Sequence, residues 1–235
     1  MLFKQTHTAT ASSAKYDVGL REYTLSVYRY MSIALLITAI SAFAVASMPK
    51  IFYLVHSTPI GWLFSLAPII FVIYFTSRIH TMPLSMAQNC LWGFSGVMGV
   101  SLSSLLLVFK IGGMAKAFFI TASMFGAMNI YGHTTNRDLT ELGSFMIMGL
   151  IGILIASLVN IFARSSAMQF AISFISVIVF TGLTAYDAQK IKSLYYQYSD
   201  SEQGAKMAII GALNLYFDFI NIFISMLYLM GDNKR

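Results

Sequence analysis

The sequence predicts an all-α membrane protein with seven transmembrane helices. Of its 235 residues, 57% are hydrophobic and only 10% are charged, and the mean hydropathy is +0.73. A soluble domain with a polar surface does not have this balance. The apolar residues are gathered in long runs, and none of the runs alternates with the period of a barrel strand. Because lipid cannot satisfy a free backbone amide, we expect every run to be a helix.

Each apolar run is close to the roughly 20 residues that a helix needs to cross about 30 Å of hydrocarbon. The predicted spans are about residues 27–47, 60–80, 84–108, 114–131, 141–163, 167–188 and 207–230. Pro68 lies inside the second span, where it would kink the helix. Residues 1–26 are polar and mixed in charge, so we predict a mobile cytoplasmic tail ahead of a transmembrane domain at 27–235.

The charged residues predict the orientation of the chain. The formal net charge is +6, but the Lys and Arg residues are scattered between the apolar runs. This distribution is typical of topology signals and of contact with anionic lipid headgroups, and it argues against a nucleic-acid partner. With the amino terminus in the cytoplasm, nine Lys and Arg residues lie inside and six outside, and seven spans then place the carboxyl terminus outside. The single cysteine, Cys90, excludes an internal disulfide and a cysteine-based metal cluster.

Two acidic residues fall where hydrocarbon would surround them. Asp187 follows the apolar run of the sixth span, and Asp218 lies well inside the run of the seventh. An ionisable group at membrane depth loses several kcal/mol of hydration unless it faces a polar interior, finds a partner or takes up a proton. Two such groups on consecutive helices predict a functional site.

Other polar residues accompany these acids at helical spacing. Along the seventh helix, these residues and Asp218 lie at positions 214, 218, 221 and 225, spaced four, three and four residues apart. They form one stripe that must face the bundle interior. The sixth helix presents a comparable face, and we expect this helix to continue past Asp187 into residues 190–196. The supporting residues are Asn214, Asn221, Ser225 and Thr184.

If the two carboxylates meet, they cannot both ionise easily, and sharing one proton would make the pair sensitive to pH. When both are ionised, their oxygens are hard ligands suited to Ca²⁺, although two carboxylates fall short of its usual six to eight oxygens. Weak binding is what a permeation path requires. A simpler alternative stays open, in which Asp187 closes helix six at the interface and Asp218 bonds to Asn or Ser neighbours.

Three further residues lie at the predicted cytoplasmic ends of helices. Arg78 is on the same side as Asp187 and would either pair with it, holding the mouth of a pore shut, or extend to the lipid headgroups. His80 and His133 lack metal-ligand spacing to another His or acid, so we expect exposed loop histidines.

Small residues predict the helix contacts, because they allow the close backbone approach that drives association in lipid. On the fifth helix Gly149 and Gly152 share a face with other small residues, and on the third helix Gly93 and Gly96 do the same. We expect these faces to pack against neighbouring helices.

The segments around the two acids resemble the Bax-inhibitor (transmembrane Bax inhibitor motif) family in its bacterial form. The matching pieces are GLTAYDAQKIK at 182–192, LYFDFINIF at 215–223 and MNIYGHTTNRDLTELGSFMIMGLIGILIASLVNIF at 128–162. The resemblance covers nearly all of the seven predicted spans.

This resemblance implies seven helices with the last one wrapped by the other six, and a pH-sensitive Ca²⁺ leak across the cell inner membrane. It implies that the acid pair matching Asp187 and Asp218 gates the leak and binds Ca²⁺ weakly, with an Arg matching Arg78 as a latch. We expect no enzymatic activity and no cofactor other than Ca²⁺ as the permeant ion. The expected partners are the lipid bilayer, calcium ions and protons.

Other function classes remain as alternatives. An intramembrane aspartyl protease also has a Tyr-Asp on helix six and an Asp on helix seven. Against it, Asp218 is preceded by Leu215, Tyr216 and Phe217 rather than Gly-x-Gly, and no proline after Pro83 supplies a Pro-Ala-Leu element. A light-driven pump is excluded because helix seven has no mid-span lysine to hold retinal. A proton-coupled transporter and an interaction scaffold stay open.

Overall fold

The computed structural model describes the backbone of residues 2–58, 60–198 and 202–230, and the side chains within these ranges except for 2–17, 60–66 and 69. This part of the chain is a bundle of helices, and no β-strand occurs in it. The helices are α1 Leu2–Ala46, α2 Pro49–His56, α3 Ile60–Arg78, α4 Leu84–Leu102, α5 Leu105–Val108, α6 Ile111–Thr134, α7 Thr140–Ala163, α8 Ser166–Tyr198 and α9 Glu202–Met230.

Within these ranges, six helical segments are long and apolar enough to cross a membrane. They are Val18–Ala46, Leu84–Val108, Ile111–Thr134, Thr140–Ala163, Ser166–Tyr198 and Glu202–Met230. The chain is therefore a multi-pass helical membrane protein, as the composition predicts.

The predicted second span, at 60–80, coincides with α3, but the side chains of 60–66 and 69 lie outside the described residues. A count of seven spans therefore stays a prediction. At the amino terminus, the backbone of α1 is helical from Leu2, and the mobility of residues 1–26 likewise stays a prediction.

The helix boundaries differ from the predicted spans in three places. The first connection contains the short helix α2. The third predicted span is interrupted after Leu102, where the Ser103 hydroxyl bonds to the Val100 carbonyl at 2.7 Å and to His56 Nε2 at 2.8 Å. Helix α8 continues to Tyr198, because Ile191 and Tyr195, four residues apart, are both buried against the bundle.

The last described helix, α9, lies deepest among the candidate spans. In its most apolar window 67% of the residues are buried, compared with 11% in α7. It packs against α8, α1, α6 and α4, and its Leu215 and Tyr216 are fully buried. The outward side chains of α7 are apolar, as a lipid-facing helix requires.

Helix backbones approach each other closely at two glycines. A Cβ added at Gly99 of α4 would overlap the Thr38 carbonyl oxygen of α1, and one added at Gly132 of α6 would overlap the Ala185 carbonyl oxygen of α8. Only glycine permits such contacts.

The predicted small-residue faces are mostly wrong. A Cβ at Gly149 would lie 2.9 Å from a methyl group of Val179, which is a helix contact, but Gly93, Gly96 and Gly152 have no neighbour within 4 Å of that position. Helical spacing identifies which residues share a face. It does not identify which face meets a neighbour.

Candidate functional site

A cavity of about 730 Å³ lies along α8 and α9. Residues of α3, α4 and α7 complete its walls, and on α8 the lining extends from Gln169 to Lys190. At 1.5 Å per residue this stretch of helix covers roughly 30 Å, which is close to the thickness of the hydrocarbon core. Asp187 and Asp218 both line the cavity, so the structure brings the two predicted acids to one space.

Asp218 lies within α9 and is only 3% exposed. The Thr184 hydroxyl of α8 donates its hydrogen to the Phe180 carbonyl at 2.8 Å, and the same side chain lies in contact with the Asp218 carboxyl group. The second carboxyl oxygen, Oδ2, is buried and has no hydrogen-bond partner among the described residues. An unpaired buried oxygen costs about 1–3 kcal/mol, so this atom is suited to binding a proton or a cation.

Asp187 lies on α8 and is partly buried. The Asn214 side chain of α9 hydrogen-bonds to its carboxylate, and the charge of Asp187 acts on Asp218. The alternative in which Asp187 closes helix six is wrong, because α8 continues for three turns beyond it, to Tyr198.

The remainder of the predicted polar stripe lies farther along α9. Asn221 and Ser225 line the same cavity, and the Asn221 amide donates to the Phe217 carbonyl at 2.8 Å. Thr184 differs from them because it is not one of the lining residues and packs beside Asp218.

Within the described ranges, Arg78 forms no ion pair with either acid and does not line the cavity that they share. Its side chain is exposed at the end of α3, and α3 packs mainly on α4 and α2. Among the described residues, the ion pair within 4.0 Å is that of Lys206 with Glu202, at 3.1 Å. The role of Arg78 as a latch stays a prediction.

Lys190 is the nearby cation that sequence reasoning missed. The predicted continuation of the sixth helix through Lys190 is confirmed, because α8 extends to Tyr198. Lys190 therefore lies one turn beyond Asp187, and it lines the same cavity. Its charge acts on Asp187, and its Nζ lies 5.7 Å from the centroid of the Tyr186 ring, within the range of a cation–π contact. The spacing of three residues between Asp187 and Lys190 was the available signal.

A second cavity, of about 370 Å³, adjoins this end of α8. All of its lining residues are polar: Asn136, Arg137, Asp138, Thr140, Tyr186, Gln189, Lys190 and Ser193. Gln189 holds the segment before α7, since its side chain accepts from the Leu139 N–H at 2.8 Å and donates to the Arg137 carbonyl at 2.8 Å.

Asp138, at the rim of this second cavity, is exposed and charged. It accepts hydrogen bonds from the Thr140 hydroxyl at 2.6 Å and the Thr140 N–H at 2.9 Å. These bonds, chiefly that of the hydroxyl, hold the pKa of Asp138 below its usual range. The carboxylate therefore stays ionised at neutral pH. Its Oδ1 already accepts hydrogen bonds from Thr140, the first residue of α7.

The two histidines occupy different environments. His80 is exposed in the turn after α3, as predicted. The prediction for His133 is wrong, because α6 extends to Thr134 and the half-buried imidazole ring lies 6.1 Å from the Tyr28 ring of α1. The Tyr28 hydroxyl in turn donates to the Asn129 side-chain oxygen.

Comparison with known proteins gives the following similarities. A family model described as "Inhibitor of apoptosis-promoting Bax1" matches residues 20–235. A protein of Rickettsia prowazekii (strain Madrid E) is 44% identical over 232 residues, which cover 99% of this chain and 98% of that protein. The inner membrane protein YbhL of Escherichia coli (strain K12) is 38% identical over 219 residues, or 92% of this chain and 94% of YbhL. A protein of Caulobacter vibrioides is 34% identical over 237 residues, or 97% of this chain and 95% of that protein.

Proposed function

The chain belongs to the Bax inhibitor family, and from this premise we propose that it is a pH-sensitive calcium leak channel of the bacterial inner membrane. The location is supported by YbhL, a relative that is named as an inner membrane protein. The observation that carries the proposal is that Asp187 and Asp218, from two helices, line one cavity that follows α8 for roughly the thickness of the hydrocarbon.

The cavity offers Ca²⁺ the oxygen ligands that it prefers. Two carboxylates are joined by the side-chain oxygens of Asn214, Asn221 and Ser225, all of which line the same space. Two acids supply fewer charges than a storage site for calcium, so binding is weak and the ion can leave. Calcium is the cargo in this proposal, and the protein carries out no chemical reaction.

Protons compete with the cation for the same oxygens. Protonation of either carboxyl group removes a ligand charge, so Ca²⁺ occupancy falls as the acids take up protons. In this proposal Asp218 is the member of the pair at which protons and Ca²⁺ compete most directly, because its buried Oδ2 has no hydrogen-bond donor among the described residues and is open to either.

The complete arrangement in this proposal has seven spans, with α9 wrapped by the other six, the amino terminus in the cytoplasm and the carboxyl terminus outside. The deep burial of α9 supports its central position. Arg78 acts as a latch only if α3 moves toward α8, because its side chain is now exposed and without an acidic partner within 4.0 Å among the described residues.

The first prediction tests Asp218 directly. Purified protein is reconstituted into vesicles that contain a calcium-sensitive dye, and Ca²⁺ entry is measured over a range of pH. The Asp218→Asn variant should lower the flux by about tenfold, equivalent to about 1.4 kcal/mol, because one of two ligand charges is lost. It should also flatten the pH dependence.

Glu141→Gln is the matched control for this measurement. It makes the same chemical change at an exposed acid in the first turn of α7, and it should conduct like the wild type. Melting curves in detergent establish that each variant is folded. Equal flux from Asp218→Asn and the wild type at every pH would remove the acid pair from the mechanism.

A further inference from the structure

Two residues, Tyr186 and Lys190, line both the cavity along α8 and α9 and the polar cavity beside it. They therefore border the route that an ion would take from the acid pair to the polar cavity. The following inference rests on the proposed function and names the element that controls this end of the path.

The Tyr186 ring is held in place by its neighbours. A Cβ added at Gly143 of α7 would overlap the ring, so the aromatic face lies directly on the α7 backbone. The adjacent Gln189 fixes the segment before α7 through two hydrogen bonds of 2.8 Å. This wall of the opening is therefore rigid.

Lys190 is the cationic member of the pair. Its side chain is exposed, and no acidic oxygen of a described residue lies within 4.0 Å of its Nζ. No ion pair among the described residues therefore screens the ammonium group at the opening. It lies near the Tyr186 ring and acts on Asp187, which borders the path on the inner side.

We propose that Tyr186 and Lys190 form a charge gate between the two cavities, in which the Lys190 ammonium repels divalent cations from the opening beside Asp187. The gate opens when the flexible side chain swings away from the Tyr186 ring into the polar cavity. A unit positive charge beside the path of a divalent ion changes the rate of passage by roughly tenfold even at water-like screening.

The test uses Ca²⁺ flux into dye-loaded vesicles. Lys190→Gln should raise the flux about tenfold, and Lys190→Arg should remain close to the wild type because the charge is kept. For K⁺ the rise should be only about threefold, since the repulsion scales with the charge of the ion. A purely structural effect on the opening would raise both fluxes by the same factor.

Lys192→Gln is the matched control. Lys192 lies on the same helix, but its charge acts on His133 of α6 and it does not line either cavity. It should leave both fluxes unchanged. Equal effects of Lys190→Gln and Lys192→Gln, or no effect of Lys190→Gln, would overturn the gate.

A second measurement does not depend on calcium transport. In a Cys90→Ala chain, Leu183→Cys places a thiol in the large cavity one turn before Asp187. Lys190→Gln should raise the rate at which a cationic methanethiosulfonate reagent modifies this thiol relative to an anionic one, because the repelling charge at the opening is lost. If the wild type conducts no Ca²⁺ but this change in relative rate is present, the proposed function fails and the gate stands; if Lys190→Gln leaves the relative rate unchanged, the gate fails.

Discussion

Along α8, the face that meets α6 is packed backbone against backbone, whereas part of the face toward α7 and α9 borders a cavity. On the packed side, Gly132 lies so close to the Ala185 carbonyl and the Ala188 methyl group that a side chain cannot fit. On the open side, Asp187 lines a cavity of about 730 Å³.

The difference shows how a membrane helix holds a charged group beside a cavity. A side chain that borders a cavity has fewer neighbours to hold it than one in a packed interface. Asp187 is held by the Asn214 side chain of α9 and by the contacts that position α8, which include the close contact with α6. The packed side therefore contributes to the geometry of the acid pair.

The largest effect is expected where the two backbones touch. Gly132→Ala forces α6 and α8 apart, because the obstacle is a carbonyl group and cannot rotate away. We expect a loss of stability of about 1–3 kcal/mol, the usual range for overpacking. Thermal unfolding of the purified protein in detergent should show it as a lower melting temperature.

Gly126→Ala on the same helix separates overpacking from a general effect of alanine. No atom lies within 4 Å of a Cβ at this position. The free energy of unfolding of Gly126→Ala should therefore differ from that of the wild type only by the helix propensity of alanine, about 1 kcal/mol or less, with a correspondingly small change in melting temperature. If Gly132→Ala and Gly126→Ala have the same melting temperature, the close contact of α6 with α8 does not stabilise the fold.

A smaller loss of stability is expected where the Tyr186 ring of α8 packs against Gly143 of α7. Gly143→Ala displaces the Tyr186 ring toward the opening between the two cavities. The overlap includes Cγ, which ring rotation does not move, so the whole side chain must turn about χ1. An off-rotamer χ1 costs about 0.5–1.5 kcal/mol. The narrowed opening should lower Ca²⁺ flux about threefold at unchanged expression, measured in the same vesicles.

Gly152→Ala is the control on α7, since no atom lies within 4 Å of a Cβ there. It should leave flux unchanged. A Gly143→Ala variant with wild-type flux would show that the position of the Tyr186 ring does not limit passage.

The same comparison explains which features could be predicted from the sequence. Long apolar runs predict helices because lipid leaves the backbone no alternative, and the cost of burying Asp187 and Asp218 predicts that they share a polar space. Both predictions follow from local composition and solvation, and both agree with the bundle and with the cavity that the two acids line.

Features that depend on which helices pack together could not be predicted from local composition and solvation. Gly93 and Gly132 are both glycines on apolar helices, but only Gly132 meets a neighbouring backbone. The sequence predicts that the sixth helix continues through Lys190, but it does not predict that this side chain lines the same cavity as the two acids. Such outcomes depend on which helix lies opposite, and one sequence does not contain that information.

The smallest effect is expected at Arg78, which tests whether a cation outside the cavity matters. The side chain is exposed at the end of α3 and does not line either cavity. Arg78→Ala should therefore raise Ca²⁺ flux near neutral pH by no more than about twofold, because exposed charges contribute about 0–1 kcal/mol. Lys190→Gln, measured beside it in vesicles of the same lipid composition, should have the larger effect. A greater rise with Arg78→Ala than with Lys190→Gln would assign the latch to α3, and it would require α3 to approach α8 in the closed channel.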